Sequence, residues 1–97
     1  MHKIIHHDRG YTFEWHIKKE LESIKKHGIP FGKAIEVFSD PKIIHVEDDK
    51  HSSEENRLYA IGKTLEGKII TVRYTLRGST IRVFGAAYWR KYYEKNT

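Results

Sequence analysis

Arg57, Arg73 and Arg82 sit on stretches in which apolar and polar residues alternate, Glu55 stands two positions before Arg57, and His27 immediately precedes Gly28. These types suit metal-free cleavage of a phosphodiester that has a neighbouring hydroxyl. Such a reaction needs a proton removed from the attacking hydroxyl, negative charge on the phosphate held in place, and a proton delivered to the leaving oxygen. Guanidinium forks bind phosphate oxygens in pairs, and a carboxylate or an imidazole exchanges protons. Each residue also has a plainer role. Arg73 falls on the polar side of its strand, opposite Val72 and Tyr74, where arginines also serve solubility, while Glu55 and Arg57 share a face and are equally suited to a surface ion pair. His27, at the end of a helical pattern, suits a charged imidazole that interacts with the last carbonyls, and it is also placed for acid–base work or contact with a polyanion. Residue types and spacing alone leave these choices open.

Two basic groups extend the set. Lys25 and Lys26 continue, with Lys18 and Lys19, a basic helix face that is either solvated or a nucleic-acid footprint. Near the C-terminus Arg90 and Lys91 lie among Tyr88, Trp89, Tyr92 and Tyr93, a mixture of stacking surface and positive charge that suits single-stranded nucleic acid, although aromatic residues at helical spacing more often pack a helix or a partner. The seven histidines include His6-His7-Asp8, His45 and His51, but there is no helical His-x-x-x-His pair and no cysteine, so no metal site and no cofactor is expected.

The elements that carry these residues follow from the periodicity. Phe13-Glu14-Trp15 reads as a short strand. Ile17, Leu21 and Ile24 recur at helical spacing up to Gly28, and Pro30 opens a second helix with Phe31, Ala34, Ile35 and Phe38 on its apolar face, stopped by Asp40-Pro41. The period then changes to two. Ile44 to Val46, Leu58 to Gly62, Lys68 to Leu76 and Thr80 to Gly85 read as strands, with turns at Thr64-Leu65-Glu66-Gly67 and Arg77-Gly78-Ser79, and Ala86 to Lys95 reads as a C-terminal helix. The fold expected is α+β, with two N-terminal helices and a C-terminal helix packed on an antiparallel four-stranded sheet. Residues 1–11 read as an N-terminal extension and residues 12–97 as a single domain.

Composition agrees with one small basic domain. In 97 residues, 18 Lys and Arg face 13 Asp and Glu, a net charge of +5 that favours polyanionic partners. Neither a signal peptide nor a membrane span is legible, and the expected location is the cytoplasm.

Several short motifs keep an order and spacing that resembles one family. Trp15, Lys26-His27-Gly28, Phe31, Ala34, Val37, Phe38 and Asp40-Pro41 are followed by Glu55-x-Arg57, Gly62, Val72-x-Tyr74-Thr75-x-Arg77 and Ile81-Arg82-Val83. This layout resembles the toxin of the BrnT/BrnA bacterial toxin–antitoxin pairs over about residues 12–85. The resemblance implies a RelE-like ribonuclease fold and a metal-independent endoribonuclease that cuts RNA and arrests translation. It also implies neutralisation by a ribbon-helix-helix antitoxin similar to BrnA, with operator DNA contacted only through that antitoxin, and no role for a membrane. Arg57, Arg82, Glu55, His27 and Arg73 are then the expected catalytic group, with Lys25, Lys26, Arg77, Arg90 and Lys91 touching RNA. An alanine at position 82 is expected to abolish toxicity and leave the fold intact.

The chain departs from that pattern at its end. Relatives commonly carry Ser-Ala-Arg where Gly85-Ala86-Ala87 stands here, and Trp-Asp where this chain has Trp15-His16. If the missing arginine binds phosphate, Arg90 or Lys91 has replaced it or cleavage is reduced. The alternative expectation is a non-catalytic basic module of the same fold that binds RNA or an acidic protein.

Overall fold

The computed structural model describes residues 3–8, 10–48 and 55–91. Its centre is a six-stranded sheet of order β1-β2-β6-β5-β4-β3, formed by β1 (Lys3–Asp8), β2 (Tyr11–His16), β3 (Ile44–Glu47), β4 (Arg57–Lys63), β5 (Ile69–Arg77) and β6 (Thr80–Tyr88). All neighbours are antiparallel except β2 and β6, which run parallel with Phe13 opposite Ile81 and Glu14 opposite Arg82. Helix α1 (Ile17–His27) follows β2, and the short α2 (Phe31–Ala34) runs on into a 3₁₀ turn over Ile35–Ser39.

This corrects the expected four-stranded antiparallel sheet carrying two N-terminal helices and a C-terminal helix. Lys3–Asp8 pairs along its whole length with β2, and β2 closes the parallel contact with β6. The segment expected to begin the C-terminal helix instead extends β6: Ala86 pairs with Val72, Tyr88 with Ile70, and the Trp89 amide donates to the Ile69 carbonyl at 3.1 Å. A strand continuing an existing ladder satisfies its backbone groups at once, which outweighs the helical spacing of the aromatic side chains. Among the described residues of this segment, helical backbone appears at Arg90 and Lys91; Tyr92, Tyr93 and Lys95 lie outside the described residues.

Local chemistry explains where α1 and α2 stop and start. Gly28 adopts φ 73° and its amide donates to the Ile24 carbonyl at 2.8 Å, a left-handed helix end that glycine takes without a Cβ penalty. Pro30 accepts from the amides of Lys33 and Ala34, both at 3.0 Å, and so begins α2. Glu20 ties the two helices together, its carboxylate accepting from Trp15 Nε1 at 3.1 Å and from the Phe31 amide at 2.8 Å. The core lies on one side of the sheet, where Phe13, Trp15, Phe31, Ile35 and Val37 pack on Ala60, Ile70, Val72, Tyr74 and Val83. Gly62 permits the close approach of the 3₁₀ turn, since a Cβ there would fall 2.9 Å from Val37 Cβ.

The apolar stripe of α1 packs less than its periodicity suggests. Leu21 is 58% and Ile24 37% exposed, and the residue α1 buries is Ser23, whose hydroxyl donates to the Ala86 carbonyl at 3.1 Å. That bond fixes α1 beside the end of β6. Among the described residues no helix is long and apolar enough to cross a membrane.

Candidate functional site

The sheet face opposite the core is polar because the alternation on β4, β5 and β6 sends arginines there. Arg57 pairs with Thr75, Arg73 with Gly85, and Thr75 with Arg82, so Arg57, Thr75 and Arg82 occupy one row across three strands. A register shift between Arg73 and Tyr74 leaves Phe84 as an extra residue in β6. Its ring receives the Arg57 guanidinium at 4.6 Å from the centroid, a cation–π contact that holds the cation over the sheet face.

Between this face and α1 opens a cleft of about 810 Å³ lined by Lys19, Lys26, His27, Arg57, Arg73 and Arg90, with Glu22 as its acidic side chain. The stem of Arg73 runs over Gly85, where a Cβ would lie 3.5 Å from its Cδ and 3.7 Å from its Cβ, both ordinary contacts. The side chains of Arg73, Lys26 and His27 have no ion-pair or hydrogen-bond partner among the described residues. Lys26 and His27 reach the cleft because α1 is pinned through Ser23 to the carbonyl of Ala86, itself part of the cleft wall.

The remaining expected site residues are arranged differently. Arg82 Nη1 donates to Glu14 Oε2 at 2.6 Å with both side chains largely buried, and Lys3 Nζ meets the other carboxylate oxygen at 3.2 Å. Burial pushes the Glu14 carboxyl up, but the hydrogen bonds from Arg82 and Lys3 outweigh it and leave the group below its ordinary value. Glu55 is clasped by Arg77 through Nε at 2.9 Å and Nη2 at 3.0 Å, and this fork holds its carboxyl below the usual range. Both pairs border a smaller hollow rather than the main cleft. Lys25 and Lys91 are exposed and stand outside the cleft lining, whereas Arg90 belongs to it. Ala87 also lines the cleft, its carbonyl accepting from Thr71 Oγ1 at 3.3 Å.

Of the expected catalytic group, the fold therefore gathers Arg57, Arg73 and His27 in one cleft, and commits Arg82 and Glu55 to ion pairs at its margin. Glu14 and Phe84 escaped the sequence reading. Glu14 carried a signal, an acidic residue between two core aromatics in an alternating segment, but its partner Arg82 is 68 positions away. Phe84 stands two positions after Arg82, so simple alternation already sets it on the polar face; what the sequence does not record is that Arg57 of β4 lies over its ring.

The model of the family described as "Ribonuclease toxin, BrnT, of type II toxin-antitoxin system" matches residues 15–92. A search of curated proteins finds no match.

Proposed function

Since the chain belongs to the BrnT family of type II toxin–antitoxin ribonuclease toxins, we propose that it is an endoribonuclease whose reaction takes place in the cleft between α1 and the polar sheet face. The observation that carries this reading is Arg73, an arginine with no ion-pair or hydrogen-bond partner among the described residues, set beside Lys26, His27 and Arg57. Arginines on folded surfaces usually find carboxylates. One kept free in a basic cleft is available to a phosphate.

In this reading Arg73 and Lys26 hold the scissile phosphate and the negative charge that grows on it. His27 exchanges the protons, which an imidazole can do without a metal. Arg57, held over the Phe84 ring, neutralises the adjoining backbone. Arg82 acts through Glu14 by fixing β2 against β6, and Glu55 acts by holding Arg77. Arg90, at the cleft end where Ala87 leaves space, supplies a further cation for RNA, and Lys25 and Lys91 attract the strand from outside.

Cleavage of RNA in the cytoplasm then arrests translation, and a ribbon-helix-helix antitoxin similar to BrnA neutralises the protein and carries the complex to operator DNA. Expression of the chain alone is expected to stop growth with fragmentation of cellular RNA, and co-expression of its cognate ribbon-helix-helix antitoxin to restore both. Growth arrest with intact RNA would contradict the reading. Ala87 supports a second reading, a basic module that binds RNA without cutting it; salt-sensitive binding with no fragments would favour that one.

A further inference from the structure

The cleft continues past Arg57. Beyond the Arg57–Phe84 stack lies a hollow of about 190 Å³ that shares Lys19, Arg57 and Phe84 with it and adds His16, Arg77 and Arg82. Carboxylates are present too: Glu55 on Arg77, Glu14 on Arg82, and Glu22 at 4.0 Å from Lys19. Neither of the first two exhausts its arginine. Arg77 gives Nε and Nη2 to Glu55, and Arg82 gives Nη1 to Glu14, while each guanidinium has five N–H donors.

His16 provides an independent observation. Its Nδ1 is buried and has no hydrogen-bond partner among the described residues. The residue occupies the N-terminal cap position of α1, yet its side chain makes no capping bond. A buried ring nitrogen left unmet is uncommon and asks for a ligand or a water. Around it stand donors, the hydroxyl of Thr75 being already spent on the Asn56 carbonyl at 2.7 Å. A group that only accepts hydrogen bonds and carries negative charge fits this set.

We propose that the hollow is a second phosphate subsite, so that one single-stranded RNA lies across cleft and hollow with successive phosphates on either side of Arg57. This rests on the RNA-cleaving reading of the cleft. A phosphate in the hollow accepts from the N–H groups of Arg77 and Arg82 that the carboxylates leave over, and from His16 Nδ1 once that buried ring turns toward it. Lys19 serves both subsites, and the Arg57–Phe84 stack forms the ridge between them.

The test measures binding of 2′-O-methyl oligouridylates of two, four and six residues, which lack the attacking hydroxyl and stay intact. Wild type is expected to bind the tetramer roughly tenfold more tightly than the dimer, because the dimer's single phosphate fills one subsite. Arg77→Glu should remove most of that gain while changing dimer affinity less than about twofold, and should lower the salt slope for the hexamer by about 0.7, the value of one phosphate on a single strand. His16→Phe, which keeps a ring and loses the nitrogen, should weaken the hexamer and spare the dimer, and it decides the matter if Arg77→Glu unfolds. No length gain in wild type, or a gain that both variants retain, overturns the second subsite. Cleavage is scored separately on unmodified RNA: fragments without a length gain reject the subsite alone, and a length gain without fragments rejects the ribonuclease reading alone.

Discussion

Arg82 Nη1 lies 2.6 Å from Glu14 Oε2, joining β6 to β2 at their parallel contact, with side chains 16% and 11% exposed. Lys3 brings β1 to the same carboxylate at 3.2 Å, so one acidic group links three strands. This changes the expectation that an alanine at position 82 leaves the fold intact. Arg82→Ala would leave Glu14 buried with Lys3 alone, and removing one partner of a buried pair costs about 3 kcal/mol or more. A denaturant titration should show that loss, and the double variant Arg82→Met, Glu14→Gln should recover much of it. An unchanged midpoint for Arg82→Ala would contradict the structural role.

Acid should expose the same pair. Burial raises the Glu14 carboxyl, the bonds from Arg82 and Lys3 lower it further than that, and the group ends below its ordinary 4.5. Asp40 falls below 3.8 because the amides of Lys42 and Lys63 donate to it at 2.9 and 2.8 Å. A carboxyl with a depressed folded-state value contributes stability above its unfolded value and loses it as pH falls through the folded one. Stability is therefore expected to drop below about pH 4.5, more steeply in wild type than in Glu14→Gln. Parallel curves for the two proteins in thermal unfolding across that range would contradict this.

Much of the sheet was legible in the sequence because its strands alternate. Leu58 to Gly62 and Lys68 to Leu76 carry an apolar face that only a period of two explains, and Gly28 and Gly67 mark turns at positive φ. Lys3–Asp8 carries no such face; it is an edge strand, largely exposed, held by its ladder to β2. The pairing of β2 with β6 joins residues nearly 70 positions apart, and nothing local records it. Ala86–Tyr88 shows the converse error, since their aromatic neighbours resemble a helix while their backbone completes β6. In the site, Arg73 and His27 were legible from parity and from the helix end. What was not legible is which arginine stays free, because that depends on carboxylates brought in by Glu14 and Glu55 from other strands and loops.

Gly62 offers a test of the packing on the core side. A methyl group at this position meets Val37 Cβ at 2.9 Å and the Val37 carbonyl oxygen at 3.3 Å. Gly62→Ala must move the 3₁₀ turn or bend β4, and overpacking of this kind costs typically about 1–3 kcal/mol. The melting temperature should fall by several degrees. A variant as stable as wild type would mean that the turn sits farther from β4.

The cleft itself is tested most directly with Arg73. Its guanidinium is exposed and has no ion-pair or hydrogen-bond partner among the described residues, so Arg73→Ala should unfold at the same denaturant concentration as wild type. Purified protein free of antitoxin, incubated with labelled RNA in EDTA, should give discrete fragments ending in 2′,3′-cyclic phosphate, and Arg73→Ala should cut about 100-fold more slowly or worse, the loss typical of removing one preorganised charge donor. Intact RNA with folded wild type, or an Arg73→Ala variant that cuts at the wild-type rate, would contradict the account.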